Sequence, residues 1–282
     1  MLSAGCDKLG LGSDASPTAP SGPPAAGASI HYTAVGASDV NGIGSSVPCL
    51  PYTACSDGRG YVPVAVRGLK AQGYSVTLTL LGIPTAVIGR DFETLGQQYD
   101  RTIVGNLIEQ EMPFVLPDTT LVTIFAGGNE VNTITSALGG GAGGSDPNAY
   151  IDAEVKAFAT DFTTLLDGIR SRAPTARILV LNVPNMAGLP YLAGASLEQR
   201  RAAQRAAVAI TKTVVNPLAA QNIPVVDLMC DPQTYVSSSY SPDGLHPNDA
   251  GYASIAGKVV SAATTSGYPP PQEGCASMTM VP

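Results

Sequence analysis

The sequence holds two histidines, His31 and His246, so any histidine-based chemistry rests on one of these positions. His31 falls in Ile30-His-Tyr-Thr-Ala-Val35, a β-rich run where a structural histidine is the ordinary reading. His246 stands in Ser241-Pro-Asp-Gly-Leu-His-Pro-Asn248, a turn-rich stretch ahead of a helical pattern. Loops at element ends carry function more often than element interiors. Asp243 precedes His246 by three residues with Gly244 between, a spacing that lets the carboxylate fold back onto the imidazole. A carboxylate accepting the Nδ1 proton fixes the tautomer, leaves Nε2 free as a base and stabilises the imidazolium. Taken alone, the pair suits a helix-capping turn equally well.

A base needs a nucleophile. Ser38, in Val35-Gly-Ala-Ser-Asp39, follows the first β-rich run directly, which would project its hydroxyl from the carboxyl edge of a sheet. The α/β-hydrolase elbow Gly-x-Ser-x-Gly is absent, because position 40 is Val. A serine after a strand is also a common helix cap. Two further features suit an oxyanion site. Asn129, in Phe125-Ala-Gly-Gly-Asn-Glu130, is a neutral side-chain donor beside glycines that let substrate approach the backbone. Gly82, in Leu80-Leu-Gly-Ile-Pro84, has no side chain to shield its N–H. Such donors stabilise a tetrahedral oxyanion, each worth on the order of 10² to 10³ in rate. Glu130 and Asn132 either face substrate or start a helix.

The elements that must position these residues alternate in type. Residues 30–35, 75–81, 121–126, 177–182 and 224–228 read as strands. Helical patterns cover 62–72, 92–111, 148–172, 197–220 and 248–263. In 148–172, Tyr150, Ala153, Ala157, Phe158, Phe162, Leu165 and Ile169 recur at helical spacing. This alternation predicts a parallel sheet covered on both faces, in flavodoxin-like order, with ligands at the carboxyl ends of the strands. The run Gly139–Gly144 is expected as a mobile loop just after the third strand, at the same end as the site, with a plain surface loop favoured over a substrate lid.

Composition excludes several functions. Net charge is −7, which argues against nucleic-acid binding. No run approaches about eighteen consecutive apolar residues, so no membrane-spanning helix is expected. The four body cysteines, Cys49, Cys55, Cys230 and Cys275, suit an oxidising compartment. The pairing Cys49–Cys55 is favoured by sequence proximity around a Pro-Tyr turn, leaving Cys230–Cys275. With no Cys-x-x-Cys pair and two histidines, a zinc site is not expected. Cys6 follows Leu2-Ser3-Ala4-Gly5, similar to a bacterial lipobox, and the Gly/Pro/Ser/Ala-rich residues to 29 read as a flexible tether. The expectation is a body from 30 to 282, outside the cytoplasm, touching membrane only through a lipid on Cys6.

Taken together, Gly36-Ala-Ser-Asp39, Gly82, Gly127-Gly-Asn129 and Asp243-Gly-Leu-His246 resemble, in order and spacing, the four blocks of the SGNH (GDSL-like) hydrolases. The resemblance covers roughly residues 30 to 265. It implies a three-layer α/β/α sandwich with a five-stranded parallel sheet. It implies Ser38 as nucleophile, Asp243 and His246 as its triad partners, and an oxyanion hole from Ser38, Gly82 and Asn129. Two departures stand out: Gly-Ala-Ser-Asp replaces Gly-Asp-Ser, and Glu130 stands where Asp is commoner. The implied function is cofactor-free hydrolysis of small-molecule or glycan esters. The lack of a long apolar segment to cover a lipid tail leans this to short acyl or acetyl groups, and a monomer is the default expectation. Activity should hold at neutral to mildly alkaline pH, since the base must be neutral. Acyl transfer to a sugar or lipid, or non-catalytic glycan binding at the envelope, are the alternatives.

Overall fold

The computed structural model describes residues 22–282, so Cys6 and most of the expected tether lie outside the described residues. Five strands form the sheet: β1 (Ser29–Gly36), β2 (Ser75–Leu80), β3 (Leu121–Phe125), β4 (Arg177–Leu181) and β5 (Val225–Val226). Their order is β2-β1-β3-β4-β5 and every pairing is parallel. This is the flavodoxin-like order, with the carboxyl ends of β1 and β3 side by side in the middle. The registers bring Gly36 opposite Phe125, which places Ser38 and the 127–130 turn together at one edge.

The period-two alternation along the strands sorts the core into two layers. Ile30, Tyr32 and Ala34 of β1, with Leu179 and Leu181 of β4, face α2 (Tyr61–Ala71) and α8 (Asp249–Thr264). Val35, Val122, Ile124, Ile178 and Val180 face the opposite layer. That layer consists of α3 (Arg90–Gln98), α5 (Gly128–Gly139), α6 (Pro147–Arg172) and α7 (Leu197–Ile210). Among the described residues two further α-helices are short: α1 (Ser38–Asn41) after β1, and α4 (Leu107–Gln110) before β3. β4 is buried at every position, as a strand covered on both faces must be. Among the described residues, no helix is long and apolar enough to cross a membrane.

Four sequence expectations change. The single helix expected over 92–111 is two, because Asp100 takes a left-handed φ of 56° and Asn106 caps a new helix by accepting the Glu109 N–H. Residues 197–220 stay helical, but past Ile210 the turns widen at Thr211–Val215 and tighten at Asn216–Gln221. Pro217 lacks the N–H that an α-helical bond requires there. On α6 the buried stripe is Ile151, Val155, Phe158, Phe162, Leu165, Leu166 and Ile169, whereas Ala153 is exposed. Finally, α5 intervenes between β3 and the glycine run, so Gly139–Gly144 does not follow the strand. The run borders a separate depression with Arg201 and Arg205, and none of it lines the cleft at Ser38.

Cys49–Cys55 and Cys230–Cys275 are disulfide-bonded. The first closes the loop that leads from α1 to α2. The second ties the segment after β5 to the C-terminal strap.

Candidate active site

β1 ends in Gly36, whose φ of 144° is open to glycine and strained for other residues. A Cβ there would collide with the Phe125 carbonyl oxygen and lie 2.9 Å from Val40 Cγ2. This sharp turn lifts the chain off the sheet and starts α1 at Ser38, whose hydroxyl points back over the edge.

The histidine arrives on a braced loop. Ser241 N–H donates to the His246 carbonyl at 2.9 Å, and Tyr240 pairs with Pro247 in an antiparallel bridge. Asn248 then caps α8 by accepting the N–H groups of Ala250 and Gly251. From the other side Gly44, with φ of 92°, packs against the ring-bearing residue; a Cβ there would sit 2.7 Å from His246 Cβ.

His246 Nε2 lies 2.8 Å from Ser38 Oγ, and His246 Nδ1 lies 2.6 Å from Asp243 Oδ2. The other Asp243 oxygen accepts the Ser241 hydroxyl at 2.8 Å and the N–H groups of Leu245 and His246 at 2.8 and 2.9 Å. Burial pushes this carboxyl up, but the bonds from the imidazole, the two backbone N–H groups and Ser241 outweigh it, so its pKa falls to about 2. The carboxylate is therefore ionised across the neutral range and faces Nδ1, the arrangement that orients a hydroxyl-activating base.

Asn129, at the start of α5, borders the same cleft and donates one Nδ2 hydrogen to the Ala86 carbonyl at 2.8 Å. The Ser38 N–H opens α1 and has no intrahelical acceptor. Gly82 is placed differently from expectation. The N–H groups of Leu81 and Ile83 bond to Ala34 and Gly36, so the ladder continues and the intervening Gly82 N–H points away from β1. Gly82 does not line the cleft; its missing side chain makes room for Val40, 2.6 Å from where a Cβ would be. From this loop it is Ala86 that reaches the cleft.

Glu130 and Asn132 border the cleft but are buried, and Glu130 accepts the Ile88 N–H. Burial raises the Glu130 carboxyl to about 7, against the pull of backbone N–H bonds and of Arg101. Its carboxylate thus ties the start of α5 to the 83–88 loop. His31 lies at the far end of β1, 2.8 Å from Asp118, away from this site. Among the described residues, no cluster of three or more His, Cys, Asp or Glu side chains is placed to hold a metal ion.

The cleft encloses ≈ 990 Å³ counting its open mouth. Its apolar wall, Val183, Met186, Leu189 and Leu245, escaped sequence reading because these residues come from irregular loops with no periodicity.

A family model described as the GDSL-like Lipase/Acylhydrolase family matches residues 34–254. Among solved structures, the chain is similar to an extracellular lipase from Streptomyces rimosus, at 20% identity and a TM-score of 0.59 over 83% of this chain and 100% of that one. It is similar to phospholipase A1 from Streptomyces albidoflavus NA297, at 18% and 0.52 over 86% and 100%. A third is the acetylxylan esterase Axe2 from Geobacillus stearothermophilus, at 14% and 0.54 over 86% and 98%. These likenesses concern the fold. No curated protein matches the chain. With the family match spanning most of the sheet and reaching from β1 into α8, the chain belongs to the GDSL-like lipase/acylhydrolase family and is an ester hydrolase.

Proposed function

We propose that this chain is a serine esterase for carboxylic esters of short acyl chains, with Ser38 as nucleophile, His246 as base and Asp243 as its orienting carboxylate. The observation that carries the reading is the unbroken line from Ser38 Oγ through both imidazole nitrogens to Asp243 Oδ2, set in an apolar-walled cleft.

His246 Nε2 removes the hydroxyl proton as Ser38 Oγ attacks the ester carbonyl. The tetrahedral oxyanion takes hydrogen bonds from the Ser38 N–H and from the Asn129 Nδ2 hydrogen not given to Ala86. His246 then protonates the leaving alcohol, and the same nitrogen activates water to hydrolyse the acyl-enzyme.

The acyl chain lies along Val183, Met186, Leu189 and Leu245. Each buried methylene contributes about 0.8 kcal/mol, roughly a fourfold gain in kcat/KM, until the wall is used up. This favours acyl groups of several carbons over acetyl, and the alcohol portion, small molecule or glycan, sits at the open mouth. The two disulfides support work outside the cytoplasm. Lipid attachment at Cys6 is tested by labelling cells with a radioactive fatty acid and comparing Cys6→Ser.

The test is hydrolysis of p-nitrophenyl esters from acetate to palmitate by wild type and Ser38→Ala. The expected result is cleavage with a short-chain optimum, and near-background activity in a variant that melts like wild type. Ester cleavage that survives Ser38→Ala would overturn the assignment. Product analysis with an added alcohol separates hydrolysis from acyl transfer.

A further inference from the structure

Glu111 follows α4 and is completely buried, and among the described residues no Lys, Arg or His forms an ion pair with it. Both carboxylate oxygens are used. One accepts the Gly36 N–H at 2.8 Å and the other accepts the Ile83 N–H at 3.1 Å. Gly36 is the turn residue two places before Ser38. Ile83 opens the loop that leads to Ala86, whose carbonyl holds the Asn129 amide. The Ile83 N–H also reaches the Gly36 carbonyl at 3.2 Å, so the two loops and the carboxylate meet at one point.

Burying a carboxyl without a cation is unfavourable, and burial pushes this one well above the ordinary carboxyl range. The hydroxyls of Tyr52 and Tyr61 feel its charge, and neither offsets it. An apolar residue would pack there at less cost but would leave two buried N–H groups without acceptors. What the carboxylate adds is a bidentate acceptor that links two loops of different strands at a fixed separation. One loop carries the nucleophile; the other holds the oxyanion donor.

We infer that Glu111 is a positioning residue of the active site, clamping the Ser38 turn to the 83–86 loop so that nucleophile and Asn129 amide keep their reacting distance. The inference rests on Ser38 being the nucleophile. It acts through backbone, and no atom of Glu111 touches substrate.

The test compares Glu111→Gln, which keeps the shape and one acceptor, with Glu111→Asp, which keeps the charge but is one methylene shorter, and with Ser38→Ala. Steady-state kinetics on p-nitrophenyl butyrate are read beside thermal melting and burst titration of competent sites. A misplacement near 1 Å costs on the order of 10²-fold. The expected result for both Glu111 variants is a kcat per titrated site lower by about 10- to 100-fold with KM within about twofold. Glu111→Gln is expected to melt at or modestly below wild type, because the amide keeps the volume and one of the two acceptors. Wild-type kcat per titrated site in Glu111→Gln, whatever its melting temperature, would reduce Glu111 to a stabilising contact and overturn the inference. Activity retained by Ser38→Ala would instead overturn the reading of the site itself.

Discussion

Ser38 and His246 are 208 residues apart in sequence, yet Oγ and Nε2 meet at 2.8 Å with neither residue inside a strand. Each is presented by a turn just outside the carboxyl edge of the sheet. The two turns are in contact through Gly44, which closes on His246 from the chain that follows Ser38. The pair is thus held by backbone packing on both sides, and its geometry exists before substrate arrives. Such preorganisation makes each polar partner separately testable.

Asp243→Asn retains the size of the side chain but removes the acceptor that sets the tautomer. Its expected effect is a kcat lower by about 10² to 10⁴ with a small change in KM, measured on a short p-nitrophenyl ester. The same variant should alter acid stability. Because the folded-state pKa is depressed to about 2, the carboxylate stabilises the fold above the ordinary carboxyl range. That contribution is lost as pH falls through about 4 toward 2. Melting temperature should therefore fall less steeply below pH 4 in Asp243→Asn than in wild type. Parallel curves would show that the carboxylate has no linkage to folding.

Asn129→Ala removes the proposed oxyanion donor and a bond to Ala86. A loss of about 10² to 10³ in kcat is expected, with about 1 kcal/mol of stability. Equal losses in binding and turnover would point instead to a collapsed cleft. A kcat near wild type would remove Asn129 from the oxyanion site.

Glu130→Gln tests a buried carboxyl of opposite sign. Burial raises its folded pKa to about 7, so the folded state holds the proton more tightly than the unfolded chain does. Wild-type stability should then decline as pH rises from about 4.5 to 7, and flatten above. The glutamine keeps an oxygen for the Ile88 N–H and carries no charge. Its melting temperature should gain on wild type across that interval. A difference that does not vary with pH would mean the group is already ionised throughout.

These partners were unequally legible in the sequence. Ser38, Asn129, Asp243 and His246 sit where strand-end reasoning looks, and the strands are marked by short β-branched runs at regular intervals. The placement of Gly82 beside Val40 was not legible, because the direction of its N–H past the end of β2 cannot be phased without knowing the β1 register. Helix α5 has no legible period in the sequence, since Gly127-Gly128 and a Thr- and Asn-containing face hide it and Gly139–Gly144 reads as a loop. Glu111 left no trace at all: its partners are backbone groups 75 and 28 residues away, and main-chain donors have no sequence signature.

The last prediction concerns the wall of the cleft. Cys230–Cys275 spans 45 residues, and loop closure of that length contributes about 4 kcal/mol in the chain-entropy model, against about 2 for Cys49–Cys55 with its separation of 6. Beyond Cys275, a strap lies against the Met186–Leu189 side of the cleft. Asn185 Nδ2 donates to the Ser277 carbonyl at 2.7 Å, Gln204 exchanges bonds with Val281 on both N–H and carbonyl, and Met280 packs on Gly188. Removing the bridge with Cys230→Ser and Cys275→Ser should lower the melting temperature by roughly 8 to 16 °C. Freed from its anchor, the strap should also hold the wall less firmly. The advantage of butyrate over acetate should then shrink while acetate turnover changes little. If the melting temperature drops but the chain-length profile keeps its shape, the strap stabilises the fold without shaping the acyl site. If neither moves, the strap is held by its hydrogen bonds and Met278 alone.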